Sequence, residues 1–177
     1  NSHGMNAMAV SATLHCLTGC ALGEIAGMAI GTVLGFSNPQ TVVLAIFLAF
    51  LFGYTLTSLP LLRSGMALAV VVPIALATDT FSILTMEIID NLIMVVIPGA
   101  MEAGLTSILF WGSLSFALSI AAVCAFPVNR WLISKGKGHM VLHETGIHGG
   151  LPTPVVATIT GVAFAFGSVV LILELLN

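Results

Sequence analysis

Charge is what this chain lacks most. Of 177 residues, four are Lys or Arg and seven are Asp or Glu, 6% in all. A water-soluble domain carries about 25% charged residues, so most of this surface cannot face water. Four cations also leave no basic patch for nucleic acid. Absent too are a G-x-S-x-G elbow, a phosphate-cradling glycine loop after a strand, and the H-E-x-x-H zinc motif. "HETGIH" comes nearest to the last, but residue 147 is Ile and the second His falls at 148. No nucleophile with an oriented base stands out, and the chain reads as a non-enzyme. Of the three cysteines, Cys16 and Cys20 share one predicted helix and Cys124 is isolated, so no disulfide is expected.

Hydrophobic residues, by contrast, make up 58% of the chain, and the mean hydropathy is +1.15. In lipid the backbone must satisfy its own hydrogen bonds, which leaves helices or a closed barrel. The apolar runs are long and unbroken, so the expected fold is all-α, a polytopic transmembrane helix bundle. Five spans are predicted at 8–35, 40–62, 65–98, 106–127 and 153–176, in a single transmembrane domain. "SNPQ", "RSG" and "PGAMEAG" punctuate the short connections, and the long polar stretch 129–152 separates the last two spans. The first span lacks a basic n-region and is too polar over 15–24 for a signal-peptide h-region. With five spans, Arg63, Arg130, Lys135 and Lys137 all lie on one side, and the positive-inside rule makes that side cytoplasmic. The N-terminus is then inside and the C-terminus outside.

The acids carry the functional information. Glu24, Asp79, Glu87 and Asp90 fall within predicted spans, Glu102 sits at the mouth of the fourth, and no predicted span supplies a basic partner. A carboxylate at the bilayer centre costs ~2.5 kcal/mol or more unless it is protonated, binds a cation or lines a wet cavity. In "ATDTFSILTMEIIDNLIM" the helical period brings Asp79, Met86 and Asp90 within about 40° of one another, flanked by Glu87 and Met94. The two Asp stand about 16 Å apart along the axis. Asp79, Met86, Glu87, Asp90, Asn91, Met94 and Glu102 therefore read as a cation or proton path. The competing reading places Asp90 and Asn91 at the outer interface, with acids bonded to neighbouring Ser, Thr or Asn.

The first span holds two four-residue rows. Gly19, Gly23, Gly27, Gly31 and Gly35 form a groove that another helix can approach closely, within the protomer or between protomers. Beside it run Cys16, Cys20, Glu24 and Met28, with His15 adjacent. Thiolate, thioether and imidazole favour copper(I) and zinc over calcium or magnesium, so His15, Cys16, Cys20, Glu24 and Met28 are the candidate metal ligands. The plain alternative is that small cysteines pack well beside glycines. In the polar stretch, His139, Met140, His143, Glu144 and His148 read as a solvated loop or a weak metal-collecting one.

"ATLHCLTGCALGEIAGM", "ATDTFSILTMEIIDNLIM", "IPGAMEAGL", "LFWGSLSFAL" and "FPVNRWLISKGKGH" together resemble a family of small prokaryotic multi-pass membrane proteins known only as a domain of unknown function. The resemblance covers about residues 11–139, four of the five spans, and leaves the helix at 153–176 as an appendage. It implies the prokaryotic cytoplasmic membrane, and members often annotated near copper-handling proteins lean the reading toward metal. The expected function is handling of a cation, a soft transition metal such as copper, by transport or binding. The cofactor, if there is one, is copper or zinc. The alternatives are an accessory subunit of a larger membrane complex, such as a copper oxidase or monooxygenase, and a homo-oligomeric pore built on the glycine groove. The partners are the lipid bilayer and either other membrane subunits or further copies of the chain.

Overall fold

The computed structural model describes residues 2–138 and 153–176. It is all-α: α1 (Ser2–Leu34), α2 (Asn38–Arg63), α3 (Leu68–Val96), α4 (Ile108–Ser134) and α5 (Thr153–Leu176). All five helices are long and apolar enough to cross a membrane. Large apolar side chains such as Val43, Phe47, Phe81, Ile88, Val123 and Ile172 point outward, as a lipid-facing surface requires. α1 to α4 enclose the interior, while α5 lies mainly along α4 and only grazes α1.

Turn chemistry places the helix ends. α1 stops at Gly35, whose φ of +68° suits glycine. There the Phe36 N–H donates to the Gly31 carbonyl at 2.9 Å and the Gly35 N–H to that of Thr32 at 3.3 Å, the paired closure of a Schellman end. α2 begins at once, with Pro39 in its first turn and the Gln40 Oε1 accepting from the Ser37 backbone N–H at 2.9 Å. The Ser107 hydroxyl caps α4 by accepting from the Leu109 N–H at 3.2 Å.

The glycine row of α1 is covered by α2 of the same chain. The buried residues of α2, Ala45, Ala49, Gly53 and Thr57, also recur every four positions. The helices run antiparallel, so one row meets the other step for step. A methyl added at Gly27 would lie 2.6 Å from the Ala45 Cα, and one at Gly19 would lie 2.8 Å from the Gly53 Cα. At Gly23 it would meet the Ala49 backbone, and at Gly31 the Thr41 side chain 2.5 Å away. The final step is polar, His15 on Thr57. Gly35 is a correction to the sequence reading. A methyl there would have nothing within 4 Å, because the chain has already turned away from α2, and this glycine ends the helix instead of packing it.

Two span limits also differ from expectation. α1 begins by Ser2, several residues before 8. α4 continues through Pro127 to Ser134, so "FPVNRW" is helix and not the start of a polar loop. Arg130 consequently lies within a helix, but exposed in its last turns, where Nε donates to the Asn6 Oδ1 at 2.7 Å.

Candidate functional site

The inward stripe of α3 is unusually polar. It contains Thr78, Asp79, Ser82, Met86, Glu87, Asp90 and Met94, all buried. α1 runs parallel to α3, so climbing one helix climbs the other, and the Cys/Glu row of α1 faces this stripe level by level.

The side-chain amide of Asn129 on α4 donates to the Thr13 hydroxyl of α1 and the Ser82 hydroxyl of α3, each at 2.9 Å. Beside these bonds is a node centred on Asp79. The Thr57 hydroxyl donates to its Oδ2 at 2.5 Å, and His15 Nε2 lies 2.8 Å from the same hydroxyl. The Cys16 thiol points at the other carboxyl oxygen, Oδ1, at 3.7 Å. One turn further along α1, the Cys20 Sγ and Met86 Sδ stand 3.9 Å apart.

Above the sulfurs three carboxyls gather. Glu24 faces Glu87, and Asp90 lies close enough to repel both when they are ionised. Asp90 is 0% and Glu87 2% exposed. Glu24 lies within hydrogen-bonding reach of Glu87 and Asn91, and Glu87 also of the Cys20 thiol, whereas among the described residues neither carboxyl oxygen of Asp90 has a hydrogen-bond partner. Asp90 is therefore enclosed by protein and open to neither solvent nor lipid. Asn91, its neighbour, donates to the Glu87 carbonyl at 2.9 Å.

Of this cluster Glu24 lines a cavity of about 250 Å³ at the end where α1 meets α2 and α3 meets α4, together with Met28, Asn91 and Met94. Glu87 and Asp90 are buried and do not reach its lining. Glu102 stands on its exposed rim, 3.5 Å from the Asn38 amide. From this rim to Asn129 the bundle carries one polar axis.

The proposed ligand set is thus strung out along α1 and does not surround a point. His15 and Cys16 belong to the Asp79 node, Cys20 to Met86, Glu24 to the carboxyl cluster and Met28 to the cavity wall. Among the described residues, no three His, Cys, Asp or Glu side chains are grouped to hold one ion. His139, Met140, His143, Glu144 and His148 lie outside the described residues. Cys124 is free and half-buried.

Sequence reasoning did not find Thr13, Thr57, Ser82 or Asn129. The signal for Thr57 was present, since it continues the small-residue row Ala45, Ala49, Gly53 at the same spacing. Asn129 was hidden by the proline two residues earlier, which suggested that the helix had ended.

No curated protein and no solved structure gives a significant match to the chain. A family model described as "Domain of unknown function (DUF4396)" matches residues 5–138. That stretch contains α1 to α4 and hence every residue of the polar axis, and it stops short of α5. The buried acids and their neighbours are therefore part of what the family model spans, and this chain, an integral membrane protein with five apolar helices among the described residues, belongs to that family.

Proposed function

We propose that the protein handles a cation inside the membrane, admitting it through the cavity and passing it along the axis between α1 and α3. The observation that carries this reading is the group Glu24, Glu87 and Asp90. Glu24 is half-buried in the wall of the cavity, Glu87 and Asp90 are buried, and the three lie close enough to interact with one another. Carboxyls placed this way in lipid call for a positive charge, and the two basic residues in the described helices, Arg63 and Arg130, are both exposed at the opposite end. The sulfurs of Cys20, Met86 and Cys16 on the same axis favour a soft transition metal such as copper, while the carboxyls serve protons equally well. The positive-inside rule sets the Arg63 and Arg130 ends in the cytoplasm of a prokaryotic cell and opens the cavity to the outside.

The homo-oligomeric pore draws on a glycine groove in need of a partner, and the accessory subunit on that groove together with small size and scarce extramembrane mass. α2 fills the groove within the protomer, which takes this one support from both and favours the cation-handling reading. The test is flux into proteoliposomes, with copper(I) and protons followed separately. Glu24→Gln and Asp79→Asn should abolish uptake while the purified variants keep the wild-type elution volume. Wild-type flux in both variants refutes the proposal.

A further inference from the structure

The levels of the axis differ in chemistry, and the middle one is specific. Cys20 and Met86 come from different helices, both are fully buried, and their sulfurs are 3.9 Å apart. With metal–sulfur bonds of about 2.3 Å, that separation subtends about 116° at an ion between them, close to the ~120° of a three-coordinate site. The nearest oxygen donor to the pair is Glu87, whose buried carboxyl lies within hydrogen-bonding reach of the Cys20 thiol.

We propose that Cys20, Met86 and Glu87 form a binding site for a soft monovalent ion, copper(I) or its analogue silver(I). The inference rests on the cation-handling reading and narrows the cargo. Thiolate and thioether are the donors that select copper(I). A zinc ion asks for four ligands, and the nearest further thiol, Cys16, is turned toward Asp79. Binding is a proton exchange with no change of oxidation state. The Cys20 S–H bond breaks, the sulfur–metal bond forms, and the proton passes to one oxygen of the Glu87 carboxylate, leaving the other oxygen for the ion.

The experiment loads the full-length protein in detergent with silver(I), or with copper(I) without oxygen, and measures stoichiometry, affinity and X-ray absorption. One ion per chain is expected, with two sulfur neighbours, at about 2.3 Å for copper(I) and further out for the larger silver(I). Met86→Leu, which conserves volume, should remove one sulfur neighbour and weaken binding by about tenfold or more. Cys20→Ser should remove the other, and Cys124→Ser, at the free half-buried thiol of α4, should change neither. A wild-type ion with no sulfur neighbour, or unchanged binding in both Met86→Leu and Cys20→Ser, overturns the site. The wild-type spectrum decides even if a variant fails to fold. The two readings also fail separately. Glu24-dependent proton flux without sulfur-bound silver removes this site and leaves cation handling intact. Sulfur-bound silver with normal flux in Glu24→Gln and Asp79→Asn does the reverse.

Discussion

Adding a single methyl group to the glycine row tests the α1–α2 contact directly. In Gly27→Ala the new carbon would lie 2.6 Å from the Ala45 Cα. Carbon atoms rest at about 3.5–4.0 Å, so the helices must part by about 1 Å. The obstacle is backbone, which cannot rotate aside as a flexible side chain would. Both helices are stiff, so the separation extends to the contacts at Gly19, Gly23 and Gly31, a seam about 18 Å long at 1.5 Å per residue. Overpacking costs typically 1–3 kcal/mol, and the upper end, about 3 kcal/mol, is expected here. The assay is reversible unfolding in mixed micelles, with the midpoint compared across three alanine variants. Gly161→Ala introduces its methyl into open space and should leave the midpoint unchanged or slightly raised. Gly35→Ala should cost roughly 1–2 kcal/mol, the penalty for an L-residue in the left-handed region. If Gly27→Ala unfolds with the wild type, α1 and α2 do not touch along this row and the bundle described here is wrong. The elution volume should be unchanged in all three, because the row is covered within one protomer.

Other substitutions separate stability from function. Asn129→Leu removes the donor to both Thr13 and Ser82 inside the protein and should cost about 1–3 kcal/mol in the same unfolding assay. Asp79→Asn keeps an acceptor for the Thr57 hydroxyl and should fold normally, whereas Asp79→Ala leaves that hydroxyl short of its acceptor and should cost about 1–3 kcal/mol. A melt that does not distinguish these two variants counts against the Asp79 node. Gly167→Leu would drive its side chain into α4, since even a methyl there would lie 2.6 Å from the Gly112 carbonyl oxygen. α5 should then become sensitive to protease while cation flux persists, because the axis runs through α1 to α4. Loss of flux would show that α5 helps to build the path.

The five spans were legible because lipid imposes one rule on every residue of a span, and hydropathy reads that rule directly. The ends were less legible. Pro127 and Asn129 look like the close of a helix, yet α4 continues past Pro127 at the loss of one backbone bond to the preceding turn, and Asn129 is satisfied by two hydroxyls from other helices. The buried acids could be found from sequence because nothing in the chain balances them. Their company could not. That Asp79 meets Thr57 and Cys16, and that Cys20 meets Met86, depends on the relative height of α1, α2 and α3. The periodicity of a single helix contains no such information. The five ligands proposed on α1 form a contiguous row, but a helix rises as it turns, and α3 offers a different partner at each height.

The register between α1 and α2 also bears on how freely this protein can vary. One face of α1 holds glycines against a backbone and tolerates nothing larger. The adjacent face carries Cys16, Cys20 and Glu24 into the interior. Only the strip with Leu22, Ile25, Ile30 and Val33 is open to lipid, and there most apolar side chains serve equally well. Substitutions should therefore collect along that narrow strip, leaving α1 with the composition of a flexible helix and the smallest mutational freedom in the bundle.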